Sequence, residues 1–260
     1  MQLFEYNIDK KVRAFSTKRG EGSGCYEGFN ITHYCGDEPQ HIEHCRGELC
    51  HELGIDDRHL LLPRQTHDDK VLFIDGQFLE LPSSKQQEAL YGIDAIVTTN
   101  ARTCIGVSTA DCIPVLLYDR ERKAVAAIHA GWRGTVAKIV KRCIEQMQTK
   151  LGCSPADITA VIAPGISVDA FEVGDEVYET FKEAGFEMQG IARRYPTADG
   201  KEKWHIDLWE ANRQQLLQCG IAPEDIQVAG ICTFTRHQEF FSARRLGINS
   251  GRIFNGIMIL

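Results

Sequence analysis

The sequence predicts a layered α+β fold, and three observations lead to that prediction. The composition of the 260 residues, with 43% hydrophobic and 25% charged residues, is that of a soluble globular protein. Runs with the period of helices and runs with the character of strands both occur along the chain. Four strand candidates follow one another between residues 94 and 129, which favours an α+β fold over a doubly wound one. Since no repeat or linker interrupts the chain, residues 1–260 are predicted to form a single domain.

Three helices are predicted from apolar residues that recur every three or four positions. The first spans residues 42–53 and follows the turn-like sequence of residues 36–39. The second spans residues 136–151 and stops at Gly152, and the third spans about 207–219 and stops at Gly220. Glycine is the usual residue just beyond a helix C-terminus, because it adopts the left-handed conformation without strain.

Eight short runs of apolar and β-branched residues are predicted to be strands. They are Val71–Ile74, Ala95–Thr99, Cys104–Val107, Pro114–Tyr118, Ala124–His129, Ile158–Ala163, Gln227–Cys232 and Ile253–Leu260. Several are apolar at consecutive positions, a pattern that is typical of strands with both faces covered. These strands are therefore predicted to lie in the middle of sheets.

Charge and hydropathy exclude two classes of partner. The chain has 29 Lys and Arg against 36 Asp and Glu, a net charge of −7, and its basic residues form no face that would bind a nucleic acid polymer. No apolar run reaches the roughly 18 residues of a membrane span. Residues 1–6 show no cationic segment followed by an apolar run, the pattern of a secretory signal, so the chain is expected to be cytoplasmic.

The cysteine and glycine patterns exclude several kinds of metal, redox and nucleotide site. The chain has 10 cysteines but no Cys-x-x-Cys, so reduced thiols are expected and a zinc ribbon, a redox dithiol or a local iron–sulfur loop is not. No Gly-x-Gly-x-x-Gly follows a strand, and no Walker-type Gly-Lys-Ser/Thr occurs. Dinucleotide-binding and P-loop chemistry are therefore excluded.

Residues able to bind a metal stand where three apolar strands meet loops. The segments are Pro63–His67, Ser108–Pro114 and Ile128–Thr135, and they contain His67, Cys112 and His129. Taken singly, a histidine or a cysteine at such a place is more often structural than a ligand. The separations along the chain match no local metal knot, so the three side chains can meet only through the tertiary fold.

The turn that follows the third segment has the composition of an anion site. Gly131 and Gly134 allow the backbone to approach a ligand closely, and a helix beginning at residue 136 would offer free N–H groups at its N-terminus. Arg133 is available as a bidentate partner for phosphate. A tight strand-to-helix turn, in which Trp132 packs and Arg133 is solvated, explains the same residues.

At this point the sequence resembles a known family. The strings STADCIPVLLYD from Ser108 and AAIHAGWRGT from Ala126, with PRQTH from Pro63, resemble the family historically called multicopper polyphenol oxidoreductases or laccase-domain proteins. Shorter matches extend the resemblance over nearly the whole chain: Asn30, Gly36-Asp37, Arg46, Ala163 to Ile166, Asp207-Leu208, Asn212, Cys232-Thr233, Phe240 to Ser242 and Arg244-Arg245. Tyr34 departs from the family, which often has a histidine at that place.

The resemblance implies a fold and a metal site. The fold would be a layered α/β/β/α sandwich with mixed sheets, similar to the catalytic domain of cytotoxic necrotizing factor toxins. The site would hold zinc, with copper as the other possible metal, on the residues that match the family's ligands, His67, Cys112 and His129. Two imidazoles and one thiolate leave one tetrahedral position open, which is typical of a catalytic zinc.

The resemblance also implies several activities. Members have been assigned purine nucleoside phosphorylase activity on adenosine, inosine and methylthioadenosine, with adenosine deaminase activity beside it, so a purine nucleoside and phosphate are the expected partners. Other members look like peptidoglycan editing factors, amidases that remove a misincorporated serine from a cell-wall precursor. Polyphenol oxidation would require several coppers, and a metal protein without catalytic activity is a further alternative.

Further residues are predicted to take part in catalysis or substrate binding. The predicted catalytic residues are Cys112, Asp111 and Arg133, and the predicted substrate contacts are Arg46, Arg133, Ser242, Thr109 and Arg244 or Arg245. Asp111 would orient a ligand or move a proton, or else cap a turn. Phe240 and Phe241 would stack on a base or pack in the core. Without a metal, Cys112 and His129 would form a thiolate–imidazolium dyad that attacks an amide or acyl carbon.

Overall fold

A computed structural model describes residues 1–197 and 200–260. Its strands are β1 (Leu3–Tyr6), β2 (Val12–Thr17), β3 (Leu60–Leu61), β4 (Val71–Ile74), β5 (Ala95–Thr98), β6 (Cys104–Thr109), β7 (Ile113–Asp119), β8 (Ala124–Ala130), β9 (Ile158–Ile162), β10 (Glu172–Val173), β11 (Ala192–Pro196), β12 (Glu202–Ile206), β13 (Ile226–Val228) and β14 (Ile253–Ile259). Its α-helices are α1 (Pro39–Leu53), α2 (Gly76–Glu80), α3 (Ser83–Ala89), α4 (Trp132–Val136), α5 (Ile139–Leu151), α6 (Asp175–Glu183), α7 (Met188–Ile191), α8 (Leu208–Gln218) and α9 (Ala243–Leu246). Short 3-10 helices cover Asp57–His59, Pro155–Asp157 and Pro223–Asp225.

Two mixed sheets pack face to face, and helices cover their outer faces. The strand order is β1-β2-β14-β6-β3 in the first sheet and β13-β9-β7-β8-β5-β4 in the second. Apolar side chains of both sheets, among them Ile105, Leu116 and Ile257, are buried between them. Helix α1 packs on the outer face of the first sheet, and α5 and α8 pack on that of the second. This order of layers confirms the predicted α/β/β/α arrangement.

The chain after β8 corrects the prediction of one helix over residues 136–151. Lys138 has a left-handed backbone with φ 58°, which separates the five-residue α4 from α5, whose first residue is Ile139. The predicted apolar stripe and the stop at Gly152 are confirmed. No helix begins at residue 136. The helix N-terminus of this turn lies instead at Trp132, with Gly131 as its N-cap, and it belongs to the five-residue α4.

Other element boundaries differ for local reasons. The first helix starts at Pro39, three residues earlier than predicted, because proline is well suited to the first helical position. The strand predicted over residues 227–232 ends at Val228, and the following residues leave the sheet so that Cys232 bridges to Gly165. The third helix is confirmed with Asp207 as its N-cap.

Several elements are absent from the prediction, and those of the small third sheet have no clear apolar period. Helix α6, which buries Val177 and Phe181 on one face, has such a period and was missed. Strands β11 and β12 form a third, small sheet with β10, and most of their residues are partly or fully exposed. Strand β1 has four residues, and β2 mixes Arg13 with apolar positions. The ten cysteines are free thiols, as expected. Among the helices of the described residues, none is both long and apolar enough to cross a membrane.

Candidate metal centre

One edge of the second sheet brings the three predicted metal ligands together. Cys112 directly precedes β7, and His129 is next to last in β8, the antiparallel neighbour of β7. His67 lies in the loop before β4, which runs parallel to β5. Because β5 also pairs with β8, the loop before β4, the start of β7 and the end of β8 meet at the same edge.

The spacing of the three side chains fits a single ion. The ligand atoms of His67, Cys112 and His129 all lie within 4.8 Å of one another. Cys112 Sγ is 3.8 Å from His67 Nε2, and the two imidazole rings meet edge to face with centroids 4.8 Å apart. Zinc bonds of about 2.0–2.3 Å place tetrahedral ligands roughly 3.5 Å apart. Within residues 1–197 and 200–260 this is the one cluster of three or more such groups that fits a metal.

The cluster is buried on one side and open on the other. His129 is 3% exposed, Cys112 is partly buried and His67 is exposed. Three protein ligands leave a fourth tetrahedral position free, and the exposed ligand places that position within reach of solvent. This arrangement is typical of a catalytic metal rather than a structural one.

A buried carboxylate absent from the sequence prediction, Asp94, organises the cluster. Asp94 Oδ1 lies 2.7 Å from His129 Nδ1, which leaves His129 Nε2 free to bind a metal. The same carboxylate accepts backbone N–H bonds of 3.0–3.1 Å from Thr66, His67 and Asp68. One side chain thus orients one ligand and anchors the loop that carries another. In the sequence Asp94 is marked only as an acidic residue directly before the apolar run of β5, which does not by itself indicate this role.

Two non-glycine residues at this edge have a left-handed backbone. The φ angles are 63° at His67 and 88° at Asp111. Such angles carry a cost for residues with a Cβ, and they persist where surrounding contacts hold them. For His67 those contacts are the three amide bonds to Asp94, since they hold the residues on both sides of it.

The charges of the cluster stabilise one another. Burial alone would raise the pKa of the Cys112 thiol, but His129 and His67 lower it to about 6. Burial works to lower the pKa of His129, but Cys112 and Asp94 raise it to about 9. In the metal-free protein, Cys112 and His129 therefore form a thiolate–imidazolium pair at neutral pH. The thiolate is also the form of cysteine that binds metals.

A second set of hydrogen bonds fixes the loop before His67 against β6. The Gln65 side chain donates to the Ser108 carbonyl at 2.8 Å and accepts the Ser108 N–H at 2.8 Å. Tyr34 Oη lies 3.1 Å from both Gln65 Oε1 and the Pro63 carbonyl, and burial raises the pKa of Tyr34 to about 12. Tyr34 therefore supports the loop as a hydrogen-bonding phenol.

The Asp111 carboxylate accepts hydrogen bonds from two other segments of the chain. Its Oδ1 accepts a 2.7 Å bond from the Thr233 hydroxyl, and its Oδ2 accepts a 2.7 Å bond from the Arg244 backbone N–H. Both carboxylate oxygens are thus engaged, which corresponds to the turn-capping alternative. The bond to Arg244 nevertheless brings one predicted substrate residue next to Cys112.

The other predicted substrate residues divide into two groups. Arg133 lies two residues after Gly131 and is exposed, with its guanidinium 4.3 Å from the Trp132 ring centre. Ser242 is buried as the N-cap of α9, the helix that carries Arg244 and Arg245. Arg46 is not near them. It pairs with Asp57 and donates to the Leu60 carbonyl, beside the start of β6, and its assignment to phosphate is corrected accordingly. Leu60 pairs with Cys104 at the start of β6, whereas Thr109, the end of β6 that is near Cys112 in the chain, lies roughly 16 Å further along the strand.

The aromatic pair and Thr109 belong to the interior. Phe240 and Phe241 are both 0% exposed, so the base-stacking alternative is wrong and core packing is correct. Thr109 is 1% exposed, and its hydroxyl accepts a 3.0 Å bond from Asn255.

Gly131 leaves the space in which the ligands meet. A Cβ at this residue would lie 3.0 Å from both Cys112 Sγ and His67 Cδ2. We expect Gly131→Ala to weaken zinc binding by about tenfold, because even small displacements of ligands lower metal affinity. Competition with a chromogenic chelator measures this change.

Gly47→Ala is the matched control, because a Cβ there has no neighbour within 4 Å. It should leave zinc affinity unchanged and stabilise α1 by up to about 1 kcal/mol. Equal zinc affinity in the two variants would contradict the assigned role of Gly131.

The fold and the cluster define an α+β protein with an open group of three side chains that could hold a metal ion. Residues 12–260 match the model of the family described as multi-copper polyphenol oxidoreductase laccase. The chain belongs to this family, in agreement with the resemblance of its sequence strings.

Named relatives and a solved structure agree with this assignment. The chain is 46% identical to a purine nucleoside phosphorylase of Bacteroides thetaiotaomicron, over 95% of this chain and 92% of that protein. It is also 46% identical to adenosine deaminase RL5 of an unknown prokaryotic organism, over 95% of this chain and 93% of that protein. The crystal structure of the Bacillus licheniformis hypothetical protein YfiH superposes with a TM-score of 0.86 at 27% identity, covering 96% of this chain and 93% of that one.

Proposed function

We propose that this chain is a zinc-dependent enzyme of purine nucleosides. It cleaves adenosine, inosine and methylthioadenosine by phosphorolysis, and it deaminates adenosine as a side activity. The observation that carries the proposal is the pairing of an open His67, Cys112 and His129 cluster with relatives at 46% identity that are named purine nucleoside phosphorylase and adenosine deaminase.

The donor set supports zinc as the metal. One thiolate and two imidazoles are ligands that zinc prefers, and copper binds the same set. A bound zinc ion would supply a Lewis acid at the open position. Asp94 holds the proton on His129 Nδ1, so that Nε2 remains the ligand atom, and its three amide bonds keep His67 in place.

Phosphorolysis also requires cations that hold phosphate, and Arg133 and Arg244 are the proposed ones. Arg133 lies two residues after Gly131, where an added Cβ would lie 3.0 Å from Cys112 Sγ, and the Arg244 backbone N–H donates to Asp111. Each charge-assisted bond to phosphate contributes roughly 1.5–3 kcal/mol. Asp111 and Ser242 serve as positioning residues, because they hold the first turn of α9 that carries Arg244.

Two parallel assays of zinc-loaded protein test the proposal. Inosine with phosphate should yield hypoxanthine and ribose 1-phosphate, and adenosine without phosphate should yield inosine and ammonia. Both reactions should disappear when zinc is removed and return when it is restored. Hypoxanthine formed without phosphate, or no release of base and no inosine, would contradict the proposal.

Other substrates identify the competing activities. Release of serine from a serine-bearing cell-wall precursor would indicate the editing amidase, an activity that the Cys112–His129 thiolate–imidazolium pair would suit. Oxygen uptake with a phenol in copper-loaded protein would indicate the oxidase. Tight zinc binding without turnover of any of these substrates would indicate a metal protein without catalytic activity.

A further inference from the structure

A cavity of about 470 Å³ lies beside α1, on the outer face of the first sheet. His41 and Cys45 line it, together with Lys18, Glu48 and Glu239. The volume lies within the range of about 300–1,000 Å³ that is usual for small-molecule sites. His41 and Cys45 are four residues apart on α1, so their side chains share one face of the helix.

A chain of hydrogen bonds connects the thiol to a carboxylate. Cys45 Sγ lies 3.5 Å from His41 Nε2, and His41 Nδ1 lies 2.9 Å from Asp37 Oδ2. The Asn30 amide donates to the same Asp37 oxygen at 2.8 Å and so fixes its position. These contacts place a nucleophile, Cys45, within reach of a base, His41. They also place a third group, Asp37, where it orients the base.

The hydrogen bond between His41 and Asp37 leaves His41 with one ring nitrogen that can act as a base. The Asp37 oxygen accepts a hydrogen bond, so His41 Nδ1 carries the proton and Nε2 presents its lone pair to Cys45. Burial raises the pKa of the Cys45 thiol, although the Asn30 backbone N–H works in the opposite direction. The thiol is therefore protonated at neutral pH and needs an adjacent base to become a nucleophile.

We propose that Cys45, His41 and Asp37 form a second reactive centre, which accepts an acyl group from an activated ester or thioester that enters this cavity. The thiol proton passes to His41 Nε2 as Cys45 Sγ forms a bond to the acyl carbon. The bond between that carbon and the leaving oxygen or sulfur breaks, and the leaving group takes the proton from His41. The products are a thioester on Cys45 and a free alcohol or thiol.

The position of Cys45 and the charges around the cavity agree with this reaction. Cys45 is only 3% exposed overall, but it is one of the residues that line the cavity, so the proposal requires a small acyl compound that enters this cavity. Lys18 and Glu239 pair with each other at 3.4 Å, which leaves no strong excess of either charge at that wall. A small uncharged acyl donor is therefore the expected class of substrate.

Acetylation by p-nitrophenyl acetate tests the proposal on the full-length, zinc-loaded protein. Peptide mass spectrometry with time measures the acetyl group on each cysteine. Cys50 is the internal control, because it lies on the same helix, is 8% exposed and has a thiol pKa raised by burial. We expect acetylation of Cys45 to be at least about tenfold faster than that of Cys50.

Two variants separate the reactive centre from a merely accessible thiol. His41→Gln should slow acetylation of Cys45 by at least about tenfold, and Asp37→Asn should slow it to a smaller extent. The rate at Cys50 should stay constant in both variants, since it would rise if α1 unfolded. Acetylation of Cys45 no faster than that of Cys50, or a rate at Cys45 that His41→Gln leaves unchanged, would overturn the proposal.

Discussion

Cys112→Ser and His67→Asn are each expected to remove bound zinc and to reduce nucleoside turnover to background. Loss of one of three protein ligands should raise the zinc dissociation constant by at least about 100-fold, since even the loss of a residue that only supports a ligand costs about 10–100-fold. Asparagine suits the test at His67, because it tolerates the left-handed backbone with φ 63° better than alanine does. Metal content after dialysis and turnover of inosine with phosphate are the measurements.

The same pair of variants separates a zinc site from a metal-free dyad. Cys25 is an exposed free thiol, so Cys25→Ser is the matched control and should leave metal content and turnover unchanged. A Cys112–His129 dyad does not use His67 as a metal ligand, so in that case His67→Asn would lose zinc and keep its activity. Activity that survives the loss of zinc would therefore contradict the proposed role of the metal.

Asp94→Asn is expected to damage both the fold and the metal centre. The carboxylate is 0% exposed and accepts bonds from three backbone N–H groups and His129, whereas an amide nitrogen would face some of these donors with another donor. Breaking a buried charged pair in this way costs about 3–5 kcal/mol of the free energy of unfolding. Zinc affinity should fall about 10–100-fold, because His129 loses its orientation. Urea unfolding of the metal-free protein and chelator competition measure the two effects.

Asp68→Asn provides the control on the same loop. The Asp68 carboxylate is 46% exposed and pairs with Lys70 on the surface, so its loss should change stability by less than about 1 kcal/mol. Zinc affinity should remain that of the wild type. Equal effects of the two substitutions would show that the buried position of Asp94 has no special role.

The three members of the cluster were predictable from the sequence, but the residue that organises them was not. His67, Cys112 and His129 each stand in a family string at a strand end, and the structure brings them together. Asp94 precedes β5 with no partner nearby in the chain, since its role depends on the pairing of β5 with β8. Its importance follows from tertiary contacts that no local spacing encodes.

The fold shows the same division between local and tertiary information. The strands and helices that were predicted carry continuous apolar runs or an amphipathic period, as α5 does. The small sheet of β10, β11 and β12 has many exposed residues, so hydrophobic pattern gives no signal for it. The break at Lys138 depends on a single backbone angle that lysine rarely adopts, and a helical period that continues across it hides the break.

X-ray absorption at the zinc edge of the loaded protein measures directly whether His67, Cys112 and His129 hold the ion and leave one position open. We expect one sulfur at about 2.3 Å and two imidazole nitrogens at about 2.0–2.1 Å, with one further light atom that is replaced when a nucleoside binds. A first coordination shell without sulfur, or one closed by four protein ligands and unchanged by substrate, would contradict this expectation.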